Sequence, residues 1–152
     1  MTDSPPAAET NNDPGAGSQT GSCLCQAVTY RFQTAPIACV HCDCVDCQKV
    51  TGSGFATVFG LATQDLHIDG QAHLASFTIK ADSGQTVTRQ FCDTCGSQLF
   101  TLAQNNPDLI WIKAGSLSNS DWLQPTDSCW AGSATKWAPP DPGLNQHQGN
   151  PV

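Results

Sequence analysis

Thr86-Val87-Thr88-Arg89-Gln90-Phe91-Cys92-Asp93-Thr94-Cys95-Gly96-Ser97-Gln98-Leu99-Phe100-Thr101-Leu102-Ala103-Gln104-Asn105-Asn106-Pro107-Asp108-Leu109-Ile110-Trp111-Ile112 decides the fold. Thr86–Phe91, Gln98–Leu102 and Leu109–Ile112 are short runs rich in β-branched and aromatic residues, which suit a pleated, half-buried surface. Cys92-x-x-Cys95 before Gly96 separates the first two runs, and Asn105-Asn106-Pro107-Asp108 separates the last two as a hairpin connection. The same pattern extends outward. Val28-Thr29-Tyr30-Arg31-Phe32 alternates with period two, and Phe55–Phe59 and Leu74–Ile79 follow it. Asp82-Ser83-Gly84 reads as another turn. No window carries a sustained apolar stripe at helical spacing; the best helical candidate is Val45 to Thr51, ended by Gly52. The expectation is a mainly β domain of about eight short strands, with at most one or two short helices.

The chain has 152 residues, a formal net charge of −7 and only six Lys and Arg. No basic cluster exists, so the electrostatic footprint of a nucleic-acid binder is missing. No stretch reaches the apolar length of a membrane helix, and the N-terminus lacks a basic n-region and an h-region. These features point to the cytoplasm. Residues 1–20 are Pro-, Asn- and Gly-rich without an aromatic, and 139–152 read the same way. Both are expected to be disordered tails around a domain at 21–138.

Nine cysteines are present. In a reducing compartment patterned cysteines are metal ligands or catalysts more often than disulfides. Cys23-x-Cys25 and Cys92-x-x-Cys95 together supply four thiolates, a closed tetrahedral shell for a structural zinc. The alternative for any one of them is a small buried hydrophobe. Cys42-x-Cys44-x-x-Cys47 supplies three thiolates within six residues and leaves a fourth position free for water or substrate. Two other readings exist for this triplet. A fourth ligand closes it, with Cys39, His41 or Asp46 as local candidates, or Cys44-x-x-Cys47 is a redox pair, for which the βαβ context is absent.

The ordered series Gly21-Ser22-Cys23-Leu24-Cys25, then Cys42-Asp43-Cys44-Val45-Asp46-Cys47-Gln48-Lys49-Val50-Thr51-Gly52-Ser53-Gly54-Phe55-Ala56, then Phe91-Cys92-Asp93-Thr94-Cys95-Gly96-Ser97 resembles the glutathione-dependent formaldehyde-activating enzyme family, which includes centromere-protein-V-like proteins. Ala114-Gly115-Ser116-Leu117 and Lys136-Trp137 resemble its downstream blocks. The resemblance implies a Mss-four-like zinc-binding β fold, two zinc ions and carbon–sulfur lyase chemistry of the S-hydroxymethylglutathione synthase type. It implies a structural ion on Cys23, Cys25, Cys92 and Cys95, and a catalytic ion on Cys42, Cys44 and Cys47. The chain departs from the family at two histidine positions. Asp43 stands at one, and Ser128-Cys129-Trp130 stands where the downstream block starts with the other. Leu117-Ser118-Asn119-Ser120-Asp121 replaces a Leu-Asp-Asp type segment.

An open zinc position can lower the pKa of an incoming thiol, and the thiolate can then add to a small aldehyde. A thiol such as glutathione needs cations for its carboxylates. Lys49, beside the triplet, is the first candidate, with Arg89 and Lys136 behind it; each is otherwise a solvated surface charge. The competing reading, from a different class, is a non-catalytic zinc module that binds a thiol carrier or a protein partner. Trp130 and Trp137 are candidates to cover the site. Trp111 reads as core.

Overall fold

The computed structural model describes residues 17–151. An eight-stranded sheet and a three-stranded sheet pack face to face. The strands are β1 (Gln19–Ser22), β2 (Thr29–Phe32), β3 (Ala38–Cys42), β4 (Ala56–Ala62), β5 (His67–Asp69), β6 (Leu74–Lys80), β7 (Thr86–Cys92), β8 (Gln98–Ala103), β9 (Asn106–Lys113), β10 (Asp127–Cys129) and β11 (Asn145–Gln146). The small sheet runs β1-β2-β5 and the large one β11-β10-β3-β4-β9-β8-β7-β6. One α-helix, α1 (Val45–Thr51), joins β3 to β4, and Gly52 ends it in the left-handed conformation at φ 67°. The fold is thus mainly β as expected, with more strands; most of the expected ones run longer, and β5, β10 and β11 are short additions. The β8–β9 turn is also tighter than expected, because β9 already begins at Asn106.

The register assigns every residue of the large sheet to one of two faces, since directly opposed residues point the same way. Cys39, Phe59, Ile112 and Phe100 are successive partners across β3, β4, β9 and β8. All four are buried and face the small sheet. Tyr30 of β2 meets Phe100 edge-on at 5.5 Å, and Phe32 lies 5.6 Å from Phe59. Aromatic contacts of this kind add to the burial that holds the sandwich. The opposite face carries Val40, Val58 and Lys113 in one row and Trp111, Thr101 and Arg89 in the next. Among the described residues no second sheet covers this face. A smaller buried cluster of Val40, Cys47, Ala56, Val58 and Cys129 forms where α1 leans on it.

The C-terminal stretch differs from the expectation of a disordered tail over 139–152. β11 pairs in parallel with β10. Beyond it, the Trp130 amide donates to Gly149 O and the Ala131 amide to His147 O. This strap is held by backbone hydrogen bonds and polar side chains, which an apolar-content argument does not detect. Of the N-terminal tail expected over 1–20, residues 1–16 lie outside the described residues, and Gln19 and Thr20 already belong to β1.

Candidate metal centres

Cys23 and Cys25 lie on the turn from β1 to β2, Cys92 closes β7 and Cys95 lies on the turn to β8. Their four sulfurs converge within 4.8 Å of one another. Cys23 Sγ is 3.6 Å from Cys25 Sγ, and Cys25 Sγ is 3.7 Å from Cys92 Sγ. Tetrahedral zinc with sulfur ligands at about 2.3 Å separates them by about 3.8 Å, so this donor set fits the ion. Local turn chemistry sets the geometry. Gly96 is left-handed at φ 76°, and its amide closes on Cys92 O. The Val28 amide donates to Cys23 Sγ. The hydroxyl and amide of Ser97 hold the Cys95 thiol down to about 5, so it sits as thiolate, the ligating form. The cluster clips the small sheet to a hairpin of the large one.

The second cluster is built around the start of α1. Cys42 closes β3, Cys44 is the helix N-cap and Cys47 sits one turn on. Cys44 Sγ accepts the Cys47 amide at 3.3 Å, so the capping geometry that starts the helix also aims the sulfur. Hydrogen bonds from Cys42 and then Cys47 hold the Cys44 thiol down to about 2, while the same contact with Cys44 pushes Cys42 far up. The three sulfurs lie within 4.8 Å of one another. Three thiolates suit a soft or borderline divalent ion, and such an ion is what would let all three thiols ionise together.

Among the described residues no fourth side chain joins the triplet. Cys39 is in the sandwich core, on the far face of β3. His41 also projects away from the triplet and stacks on Phe55 at 4.6 Å. Asp46 pairs with Arg89 at 3.3 Å. The open side of the triplet instead faces a cavity of about 440 Å³. Its walls include Val40, Val58, Val87, Trp111, Trp130 and Cys129, and the strap contributes Asn150 and Pro151. Trp130 Nε1 donates to Asn150 Oδ1 at 2.8 Å.

Two cations line this cavity, Arg89 and Lys113, at 6 % and 8 % exposure. Arg89 is among the cations the sequence offers for a substrate carboxylate. Lys113 is an addition from the structure, although period two through Leu109–Ile112 already places it beside Trp111, opposite Ile110 and Ile112. Burial lowers the Lys113 pKa, and the nearby Cys47 pulls it back up. Lys49 is exposed on α1 and is not among the lining residues, and neither is Lys136. Trp111 lines the cavity instead of the core, Trp130 covers it, and Trp137 is exposed.

The two positions that depart from the family pattern touch each other. Ser128 Oγ donates to Asp43 Oδ2 beneath the triplet, and both residues are fully buried. The Asp43 amide donates to Cys129 O, and Gln48 Nε2 donates to Asp43 O. Neither side chain lines the cavity.

The fold and its two cysteine clusters define a small β-sandwich protein with two sets of candidate metal ligands, four cysteines in one and three in the other. The chain belongs to the glutathione-dependent formaldehyde-activating enzyme family, whose profile matches residues 18–133. Among solved structures it is similar to a Rhodobacter sphaeroides protein, with a TM-score of 0.53 and 21% identity over 70% of this chain and 91% of that one. At that identity the likeness concerns the fold. No curated protein matches. No helix among the described residues is long and apolar enough to cross a membrane.

Proposed function

We propose that the protein is a zinc-dependent carbon–sulfur lyase-like enzyme that makes or cleaves adducts between glutathione, or a related thiol, and a small aldehyde. The observation that carries this reading is the three-thiol cluster opening onto a cavity, with no fourth side chain among the described residues. Cys42, Cys44 and Cys47 would hold the catalytic ion, and Cys23, Cys25, Cys92 and Cys95 a structural one. Zinc bound to the triplet supplies a Lewis acid that keeps an incoming thiol as thiolate at neutral pH. The chain's own residues do the rest. The apolar walls and Trp130 exclude water from the adduct, while Arg89 and Lys113 offset the negative charge of three thiolates. Nine free thiols support a reducing compartment, the cytoplasm.

One observation favours a non-catalytic module that binds a thiol carrier or protein partner. Asp43 and Ser128 spend their polar groups on each other, so neither offers a proton to the cavity. Turnover separates the two readings. Elemental analysis should find two zinc ions per chain, falling to one in a folded Cys44→Ser variant, together with loss of glutathione binding. The wild-type protein should also accelerate exchange between free and glutathione-bound formaldehyde, followed by NMR. Two zincs without acceleration would leave the binding module standing. One zinc, indifferent to Cys44→Ser, would remove both the second centre and the enzyme.

A further inference from the structure

The Lys113 ammonium, 8 % exposed as a residue, has no hydrogen-bond acceptor and no ion-pair partner among the described residues. Only its carbonyl is used, by Ser116 Oγ. Its Nζ is not one of the fully enclosed atoms that lack a partner, so the buried stem brings the ammonium to the cavity beside the triplet, where a bound anion can complete it. Arg89, on the same face and also lining the cavity, gives Asp46 one nitrogen, while its Nε stays without a partner. Directly opposite Arg89, the enclosed Thr101 Oγ1 is also unpartnered. Two of the chain's six cations are therefore turned into one cavity of a protein whose net charge is −7. The acids that line the same cavity are Asp46, already engaged, and Asp82 in the β6–β7 turn.

We propose that Lys113 and Arg89 form a carboxylate-binding subsite beside Cys42, Cys44 and Cys47, so that the compound handled there carries a carboxylate near its reacting end. This rests on the reading that the cavity takes the substrate. A carboxylate accepts from several N–H donors at once, and charge-assisted bonds of this kind are strong in a water-poor pocket. The carboxylate has two chemical sources. It belongs either to the thiol, as in an ω-mercaptocarboxylate, or to the carbonyl partner, as in a 2-oxo acid. Arg89 and Asp46 lock each other, and Lys113 is the free donor that does the selecting.

The test is calorimetric titration of the metal-loaded protein with 3-mercaptopropionate, 2-mercaptoethanol and propionate. Matched titrations use glyoxylate and formaldehyde, each with 2-mercaptoethanol. The subsite predicts a preference of about 10- to 100-fold for a carboxylate-bearing ligand over its neutral counterpart. Lys113→Met, which keeps the apolar stem and removes only the charge, should abolish that preference without loss of zinc. Whichever pair shows the Lys113-dependent preference identifies the bearer. Equal affinities in both pairs would overturn the proposal. So would a preference that survives in Lys113→Met, or a variant that loses zinc while keeping the preference, since Lys113 would then serve the thiolates alone. Propionate binding that depends on Lys113, with no response to either thiol, would keep the subsite and sink the open metal centre. Should Lys113→Met not fold, Lys113→Gln with the same titrations serves instead.

Discussion

At Gly21 a methyl group would lie 2.2 Å from the ring of Tyr30 and 2.6 Å from the carbonyl oxygen of Ser116. Those two residues are already joined, Tyr30 Oη to Ser116 Oγ at 2.7 Å, across the seam between the small sheet and the end of β9. The absent side chain at position 21 is what allows the phenol to reach its partner. Gly21→Ala should destabilise the protein by about 1–3 kcal/mol, the usual penalty for overpacking a tight site. Urea unfolding measures it. A mutant as stable as the parent would mean the seam yields freely. Cys44 shows the same economy, because one sulfur caps a helix and belongs to the three-cysteine cluster. Serine there would keep a hydroxyl cap, which is why Cys44→Ser is expected to fold while losing its ion.

Among the elements, the strap after β11 closes one side of the cavity with Asn150 and Pro151. Asp127 of β10 accepts from Thr126 Oγ1 and faces His147 Nε2 at 2.7 Å. The Thr126 hydroxyl, then His147, holds the Asp127 carboxyl below its ordinary value. A depressed acid stabilises the fold above the unfolded value, and that contribution is lost as pH falls through the folded one. The amides of Trp130, Ala131 and His147, which tie the strap, should therefore exchange faster below about pH 4 once intrinsic rates are divided out. Asp127→Asn should flatten that dependence; strap exchange that tracks global unfolding at every pH would refute it.

The same element marks where sequence reading stops. Pro- and Gly-rich composition signals too little apolar surface to order a chain, and for residues 139–151 that inference fails because backbone bonds to β10 carry the order. The three-residue β10 is too short for periodicity to register. By contrast, α1 was legible over Val45 to Thr51, with Gly52 as its stop, and the two cysteine sets from spacing. Arg89 was partly legible and Lys113 was not. A lysine after an apolar strand reads as the strand's end, unless parity is followed one position further.

On the scale of the whole molecule, the four-cysteine clip joins turns that are distant in sequence. It ties the small sheet to the large one at the edge of the buried core, in which Cys23 and Cys92 themselves take part. A cross-link over a loop of that length is worth about 4 kcal/mol by the entropy it removes from the unfolded chain. With zinc on both clusters as proposed, stripping the ions with a chelator should lower the Tm by about 10 °C or more, whereas Cys44→Ser should lower it by much less. Differential scanning calorimetry on the two samples decides. Equal losses would mean that the triplet, not the clip, is the structural centre.

Each central strand of the large sheet serves two masters in alternation. In β9, Ile110 and Ile112 face the sandwich while Trp111 and Lys113 face the cavity, and β3, β4 and β8 repeat this. Neighbouring residues along one strand therefore answer to separate selective pressures. Substrate preference can drift through one set of alternate positions while the other set keeps the scaffold folded. A family built this way can diversify its chemistry without first acquiring spare stability, and an engineer can randomise one face of the sheet while leaving the other untouched.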